Sequence, residues 1–301
     1  MPTKTKRKRK RGEPGKAKSH RYTAATADRH ELYQLSVQNV ESEIDFVDAT
    51  YSALRGRPAS RLREDFAGTA NSACEWVRRR ETNSAVAVDL DEPTLEWGRT
   101  HNLSKLDDTQ RDRIHLACAD VREPGPQGQN ADIVLAMNFS YWIFESRETL
   151  RAYFASVRES LDEQGVFFLD FYGGSEAMTE TKENRKINRH LTYVWEQARY
   201  DPISGHMDCK IHFKFPDGTA LKNAFEYSWR LWTLPEICEL LTEAGFEDVQ
   251  VYWEGTDEDD PEEGNGEFEP VIEGDADPAY ICYIVAQKKG LKSVTAKARP
   301  E

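Results

Sequence analysis

The sequence predicts an α/β fold in which seven strands form one largely parallel sheet, the last strand is antiparallel, and a small antiparallel β insert follows strand five. Between residues 60 and 170, short apolar runs alternate with segments of helical periodicity. This alternation is typical of parallel strands with helices on both faces. Segments of period-two alternation follow, and near the end two strands have no helix between them. Such strands pair antiparallel or are joined by a long loop.

The first part of the chain contains a leading helix and five buried strands. Apolar residues at helical spacing predict the helix over residues 33–54, before Gly56 and Pro58. The strands are predicted at 60–65, 85–89, 114–119, 132–137 and 165–170. Helices are predicted near 69–80, 93–101 and 147–161, where the pattern has helical periodicity.

The second part of the chain contains the insert and the end of the sheet. Three alternating segments, separated by the turn sequences Asp201-Pro-Ile-Ser-Gly and Pro216-Asp-Gly-Thr, predict a three-stranded antiparallel insert over residues 186–233. A helix at 235–245 then precedes strands six and seven. The acidic connection between those strands, residues 254–278, is rich in Gly and Pro and is interpreted as a loop. Strand six is expected at 246–253 and strand seven at 280–286.

Composition excludes several classes of protein. The chain has 301 residues and 39% hydrophobic content, enough for a substantial core. No apolar run approaches the roughly 20 residues that span a bilayer, and no secretory signal follows the basic start of the chain. We therefore expect a cytoplasmic protein without a membrane segment. The five cysteines are scattered, without the paired spacing of a zinc site or a disulfide framework.

The charge is distributed unevenly. Residues 1–21 carry ten Lys or Arg against one acid, which leaves 30 of the 40 basic and 52 of the 53 acidic residues for the rest of the chain. Residues 1–25 are predicted to be a disordered basic tail that contacts nucleic acid, acts as a nuclear address or only keeps the protein soluble. A flexible tail is also predicted at 289–301. An acidic body is a poor match to a phosphate backbone, which makes nucleic acid an unlikely partner and favours a small-molecule substrate. The sequence carries no prediction of an oligomeric state.

The turn after the first strand indicates a nucleotide site. Residues 62–70 read Leu-Arg-Glu-Asp-Phe-Ala-Gly-Thr-Ala, and Asp89 ends the second strand 21 positions after Gly68. A tight turn of small residues brings backbone N–H groups and a helix N-terminus to a ligand, and an acid at the next strand end suits two ribose hydroxyls. Two of the three glycines of a dinucleotide site are missing, which argues against NAD. Asp89 is alternatively a helix cap, but Asp91 is better placed for that role before Pro93.

The order of these landmarks resembles the class I S-adenosylmethionine-dependent methyltransferases, which have a Rossmann-like sheet. The resemblance covers residues 30–288 and implies a methyltransferase domain over 26–288 that uses S-adenosyl-L-methionine. The chain departs from the usual glycine turn at Phe66 and Ala70. The resemblance implies that Glu64 holds the methionine ammonium and Asp120 the adenine amino group. It implies cofactor contacts from the following residues: Tyr33, Glu64, Phe66, Ala67, Gly68, Asp89, Leu90, Asp120, Val121 and Asn138.

Glu64 is preferred over Asp65 for that ammonium because adjacent strand residues point in opposite directions. Gln38 is a further candidate for a cofactor contact, alongside Tyr33, and ordinary packing is the competing interpretation for both. For Asp120, a cap on the following segment explains the acid equally well.

Methyl transfer from a sulfonium chiefly requires alignment of the nucleophile and exclusion of water, so no metal is predicted. The candidate catalytic residues are Asn138, Tyr141, Trp142 and Arg230. Arg230 would clamp a substrate carboxylate, although a surface salt bridge explains it equally well. A cationic or planar substrate would lie among aromatic side chains, half of which are alternatively the core of the insert. The aromatic set is Tyr141, Trp142, Tyr172, Tyr193, Trp195, Tyr227, Trp229 and Trp232.

Three other functions compete with a small-molecule methyltransferase. One is methylation of protein or RNA guided by the basic tail. Another is a binding protein that has this fold without catalysis, which the unusual turn allows. A dehydrogenase is disfavoured by the missing glycines and the antiparallel final strands. The frame Asn138-x-x-Tyr141 matches the Asn-Pro-Pro-Tyr turn of enzymes that methylate planar nitrogens, but the prolines are absent.

Overall fold

In the computed structural model, which describes residues 22–256 and 264–291, an eight-stranded sheet lies beside a four-stranded one. The basic run 4–11, the acidic residues 257–263 and residues 292–301 fall outside this description. The strands of the large sheet are β1 (Arg61–Asp65), β2 (Ser84–Asp89), β3 (Ile114–Cys118), β4 (Ala131–Ala136), β5 (Leu161–Gly173), β10 (Asp248–Thr256), β11 (Gly264–Val271) and β12 (Tyr280–Gln287). The strands of the small sheet are β6 (Thr181–Asn188), β7 (Leu191–Tyr200), β8 (His206–Lys214) and β9 (Ala220–Arg230).

The strand order of the large sheet is β11-β10-β12-β5-β4-β1-β2-β3. The five strands from β5 to β3 are mutually parallel, whereas β12 is antiparallel to both β5 and β10. The predicted fold class is therefore confirmed, including the antiparallel last strand, although the sheet has eight strands, one more than predicted. The carboxyl ends of β1, β2, β4 and β5 lie side by side at one edge, where parallel sheets bind their ligands.

Seven α-helices surround the sheet in the described residues. Local signals fix several of their starts: Asp91 accepts a hydrogen bond from the Thr94 N–H (3.2 Å), and Thr233 forms a capping box with Glu236. The helices are α1 (Arg29–Ser36), α2 (Val40–Arg55), α3 (Asn71–Arg79), α4 (Glu92–His101), α5 (Asp108–Arg111), α6 (Arg147–Ser160) and α7 (Leu234–Glu243). Two apolar clusters form the core on the two faces of the large sheet, and a third joins α1 to the small sheet.

The leading helix differs from its prediction. The continuous helix expected over residues 33–54 is divided into α1 and α2 around Val37–Asn39. The Arg185 guanidinium donates to the Ser36 carbonyl at this break, and the Gln38 side chain accepts from the Asn71 amide (3.0 Å). These long-range contacts let α1 pack on the small sheet while α2 packs on the large one.

The insert and the acidic connection also contain more strand than predicted. The insert has a fourth strand, β6, which begins at Thr181 and is almost entirely exposed. The charged sequence of β6 does not predict a strand, because an edge strand needs little apolar surface and often carries charges that protect it from further pairing. The predicted loop 254–278 contains β11, which pairs antiparallel with β10 at the other edge of the large sheet.

Within the described residues, no helix combines the length and apolar character that crossing a bilayer requires. The five cysteines are free thiols. No group of three or more His, Cys, Asp or Glu side chains within residues 22–256 and 264–291 is arranged to hold a metal ion.

Candidate functional site

The turn between β1 and α3 has the left-handed backbone that glycines usually provide. Phe66 (φ 56°), Gly68 (φ 53°) and Ala70 (φ 55°) all have positive φ. For Phe66 and Ala70 this conformation costs about 1–2 kcal/mol per residue. Packing offsets the cost at Phe66, because its ring contacts Phe144 and Tyr153 with centroid distances of 5.9 and 5.7 Å. The turn therefore keeps its shape although two glycines are missing.

A cavity of about 440 Å³, here called the edge cavity, opens next to this turn. Its lining comes from the turn residues 64–69, the residues after β2 and β4, α1 and β9. Asp89 lies at its floor, where its carboxylate accepts hydrogen bonds from the Gly68 N–H (2.7 Å) and the Asp91 N–H (2.8 Å). The acid of β2 and the turn of β1 are thus held together as one unit.

Glu64 lines the same cavity, and its carboxylate accepts a hydrogen bond from the Ala73 N–H in the first turns of α3 (2.9 Å). Burial raises the pKa of Glu64 to about 8, with the negative charges of Glu43 and Asp89 adding to the effect. Asp65 points to the opposite face, into an ion pair with Arg63 (2.8 Å). A cation in the edge cavity would favour the ionised form of Glu64.

The edge cavity is covered by α1 and β9. Tyr33 of α1 packs on Phe225 of β9 with ring centroids 4.9 Å apart, and His30 lies 5.8 Å from the same ring. Tyr33 and Gln38 both line the cavity. The two elements come from distant parts of the chain and meet beside the carboxyl ends of the strands.

Three residues expected near the cofactor are outside the described lining of the edge cavity. Asp120 follows β3, and its carboxylate is paired with the Arg122 guanidinium (2.6 Å), whose hydrogen bonds lower the pKa of the acid. Val121 is buried in the core, and Leu90 is 67% exposed. The described lining of the edge cavity includes none of the three. The charge of Asp120 is engaged by a neighbour two residues away, and its contact with the adenine amino group stays a prediction.

A second cavity of about 550 Å³, here called the insert cavity, lies between the sheet edge and the small sheet. Four residues line both cavities, so the two adjoin. The four shared residues are Tyr33, Asn138, Tyr227 and Trp229. Five of the eight aromatic residues singled out in the sequence line the insert cavity, namely Tyr172, Tyr193, Trp195, Tyr227 and Trp229.

Asn138 lies at the boundary of the two cavities. It follows β4 with a left-handed backbone (φ 59°), as does Phe139 (φ 54°). The N–H groups of both residues donate to the Asp170 carboxylate, at 2.7 and 2.9 Å. Asp170 of β5 thereby fixes the turn that separates the cavities.

Three predicted catalytic residues are not at either cavity. Tyr141 and Trp142 are completely buried; the Tyr141 hydroxyl donates to the Asp170 carbonyl (2.9 Å), and Trp142 packs edge-on against Trp229 at 5.9 Å. Arg230 stacks over Trp232 at 3.7 Å and forms an ion pair with Glu236 (3.1 Å). Complete burial corrects the predicted substrate contacts of Tyr141 and Trp142, which are core residues. Arg230 already has partners that hold its charge, and its contact with a substrate carboxylate stays a prediction.

None of the acidic residues that line the insert cavity is among the site residues predicted from the sequence, and Asp170 and Glu43 are the most deeply buried of them. Asp170 was recognised only as the end of strand five, although an acid at a parallel strand end was the signal used for Asp89. Glu43 had no signal, because it lies on a helix face with ordinary amphipathic spacing. Burial raises the pKa of Asp170 to about 7 and also raises the pKa of Glu43.

Comparison with known proteins shows which solved structures share this architecture. No protein-family model matches the chain, and no curated protein has significant sequence similarity to it. Many solved structures are similar to the chain in fold, and three of them illustrate the likeness. A S-adenosylmethionine-dependent methyltransferase from Clostridium acetobutylicum has a TM-score of 0.63 at 16% identity, covering 86% of this chain and 96% of that one. Streptomyces venezuelae DesVI has a TM-score of 0.60 at 18% identity, covering 86% and 98%.

The third is CalS10, an amino pentose methyltransferase from Micromonospora echinaspora, with a TM-score of 0.58 at 16% identity, covering 86% of this chain and 96% of that one. In each case the alignment extends over nearly the whole of the solved chain. Such low identities establish architecture, not chemistry. The chain has the fold of the class I S-adenosylmethionine-dependent methyltransferases.

Proposed function

We propose that this protein is an S-adenosylmethionine-dependent methyltransferase that acts on a small-molecule acceptor. The observation that carries the proposal is the pair of adjoining cavities at the carboxyl edge of the parallel strands, with Asn138 and Tyr33 lining both. The cofactor would occupy the edge cavity and the acceptor the insert cavity. Each volume falls within the roughly 300–1,000 Å³ of small-molecule sites.

The residues of the edge cavity fit this cofactor. The Asp89 carboxylate accepts two backbone hydrogen bonds, and a carboxylate has about four acceptor positions, which leaves room for ribose hydroxyls. Glu64 supplies the acid for an ammonium group. When bound, S-adenosylmethionine supplies an electrophilic methyl group, so the protein needs to align the acceptor and exclude water.

The cover formed by α1 and β9 supports both of these tasks. It forms one wall of the edge cavity, and β9 also contributes Tyr227 and Trp229 to the insert cavity. The comparison with CalS10, which is an amino pentose methyltransferase, is consistent with a small acceptor. A cavity walled on both sides by ordered strands suits a small molecule better than a polymer.

Asp89→Ala is expected to weaken binding of S-adenosylhomocysteine by about 1.5–3 kcal/mol, because hydrogen bonds to a charged acceptor have that value. Isothermal titration calorimetry measures the change. Asp45→Ala is the matched control, because Asp45 is exposed on α2 and pairs with Arg79. Unchanged affinity in Asp89→Ala would refute the ribose assignment. Failure of the unaltered protein to bind the ligand at millimolar concentration would favour a protein without this chemistry.

Binding of S-adenosylhomocysteine is expected to release a proton from Glu64 near pH 7. The pKa of Glu64 is raised from 4.5 to about 8, so the acid is mostly protonated in the free protein, and a bound ammonium would stabilise the carboxylate. Affinity should therefore increase as the pH rises toward 8. Calorimetry in two buffers of different ionisation enthalpy counts the protons. Glu64→Gln should release none, whereas equal release in that variant would assign the proton to another group.

A further inference from the structure

The insert cavity combines carboxylates with an aromatic wall at the boundary to the edge cavity. On the basis of the proposed function, we infer that the methyl acceptor is an amine, which binds as a cation between the Asp170 and Glu43 carboxylates and the rings of β7 and β9. The nitrogen would lie beside Asp170, at the end of the insert cavity that adjoins the edge cavity.

The charge of the lining favours a cation. Five acidic residues line the insert cavity, and among its described lining residues Arg185 is the one Lys or Arg. Arg185 already donates to the Ser36 carbonyl and lies over the Tyr193 ring at 5.3 Å. Low-dielectric walls concentrate such a field within a cleft. The five acids are Glu43, Asp170, Glu176, Glu183 and Glu254.

The aromatic wall provides a second, independent contribution. Tyr227 and Trp229 are stacked with ring centroids 4.4 Å apart, and Trp195 lies 6.4 Å from Trp229. The faces of Trp and Tyr rings attract cations, and the attraction increases when water is excluded. A neutral acceptor would use the apolar surface of these rings but would leave the carboxylates uncompensated.

The position of Asp170 points to the reacting end of the acceptor. Asp170 lines the insert cavity, while Asn138, whose N–H it accepts at 2.7 Å, lines both cavities. A nitrogen that is hydrogen-bonded to the Asp170 carboxylate would therefore lie next to the boundary shared by the two cavities. Burial raises the pKa of Asp170 to about 7, and the negative charge of Glu43 adds to the effect.

This arrangement supports a balanced transfer step. The Asp170 carboxylate takes one proton from the bound ammonium and leaves a nitrogen lone pair. That lone pair forms the new N–C bond while the methyl C–S bond breaks and its electron pair stays on sulfur. The products are a methylated ammonium and a neutral thioether, and Asp170 returns its proton to solvent. A pKa near 7 suits a base that works near neutral pH.

The test compares amines with hydroxyl analogues of the same shape. The probes are 2-phenylethylamine against 2-phenylethanol and glucosamine against glucose, titrated calorimetrically into the protein saturated with S-adenosylhomocysteine. We expect at least one amine to bind about tenfold or more tightly than its alcohol, a difference of roughly 1.4 kcal/mol. Asp170→Asn and Glu43→Gln should each reduce that preference to less than about threefold.

Glu243→Gln is the matched control, because it removes one negative charge from α7, where Glu243 pairs with Arg147 away from both cavities. It should keep the full preference. Equal affinity for amines and alcohols in the unaltered protein, or a preference that survives both cavity variants, would overturn the inference. Affinity for S-adenosylhomocysteine, measured on every variant, tests the proposed function separately. If the unaltered protein does not bind S-adenosylhomocysteine, the proposed function is refuted. The amine preference is then measured in the absence of S-adenosylhomocysteine.

Discussion

Asp65→Ala is expected to lower the free energy of unfolding by about 3–5 kcal/mol, because it leaves a buried guanidinium without its counter-ion. Arg63 and Asp65 are both almost fully buried and form an ion pair at 2.8 Å. The Tyr153 hydroxyl donates to the same carboxylate (2.8 Å), and the Arg63 guanidinium also donates to Ser160 (2.6 Å) and to the Gly128 carbonyl (3.1 Å). The network ties β1 to α6 beneath the turn of the edge cavity.

Urea denaturation followed by circular dichroism measures this loss. The double variant Arg63→Met with Asp65→Ala removes both charges, and replacing a buried pair by apolar groups is often close to neutral. We expect it to recover most of the stability that Asp65→Ala loses. A double variant as unstable as the single one would show that packing around β1, rather than an unpaired charge, dominates the effect.

Trp142→Ala is expected to lower the free energy of unfolding by about 3–5 kcal/mol, the usual cost of removing a large aromatic side chain from a core. Trp142 is completely buried and contacts Phe139, Phe171 and Trp229. Trp142→Phe keeps most of this packing and should lose much less. The measurement is again urea denaturation.

The same pair of variants distinguishes a core residue from one that contacts substrate. If Trp142 only packs against Trp229 from the core side, Trp142→Phe should bind S-adenosylhomocysteine with unchanged affinity. It should also still transfer a methyl group to any amine that the unaltered protein methylates. A stable Trp142→Phe protein that has lost transfer would return Trp142 to the substrate-contacting residues that the sequence predicted.

The alternation of apolar and helical segments was sufficient to predict the central sheet. β2 to β5 fall where the apolar runs indicate them, since strands buried on both faces are usually apolar along their length. β1 is the exception, because four of its five residues are charged, although it lies at its predicted position. The charged strand β6 and the acidic strand β11 were not predicted because edge strands lack that requirement. The break between α1 and α2 was missed for a related reason: Arg185, 149 positions away from Ser36, stabilises it.

The site was predicted to the extent that backbone topology determines it. Asp89 and Glu64 stand at the ends of adjacent parallel strands, so any such sheet brings them to one edge. Tyr141 and Trp142 belong to a turn at the same edge, and only their side-chain directions carry them into the core. Asp120 follows β3 near the same edge, and only the tertiary structure shows that Arg122 engages its carboxylate.

By itself the sequence determined the fold class, the sheet edge that holds the site and the turn that begins it, because these depend on local periodicity and strand order. The tertiary structure alone decided that Phe66 packs inward against Tyr153, and that Glu43 and Asp170 face one cavity. Those outcomes depend on where side chains from distant segments meet, which periodicity does not encode. The insert cavity is therefore a product of packing, whereas the edge cavity is largely a product of topology.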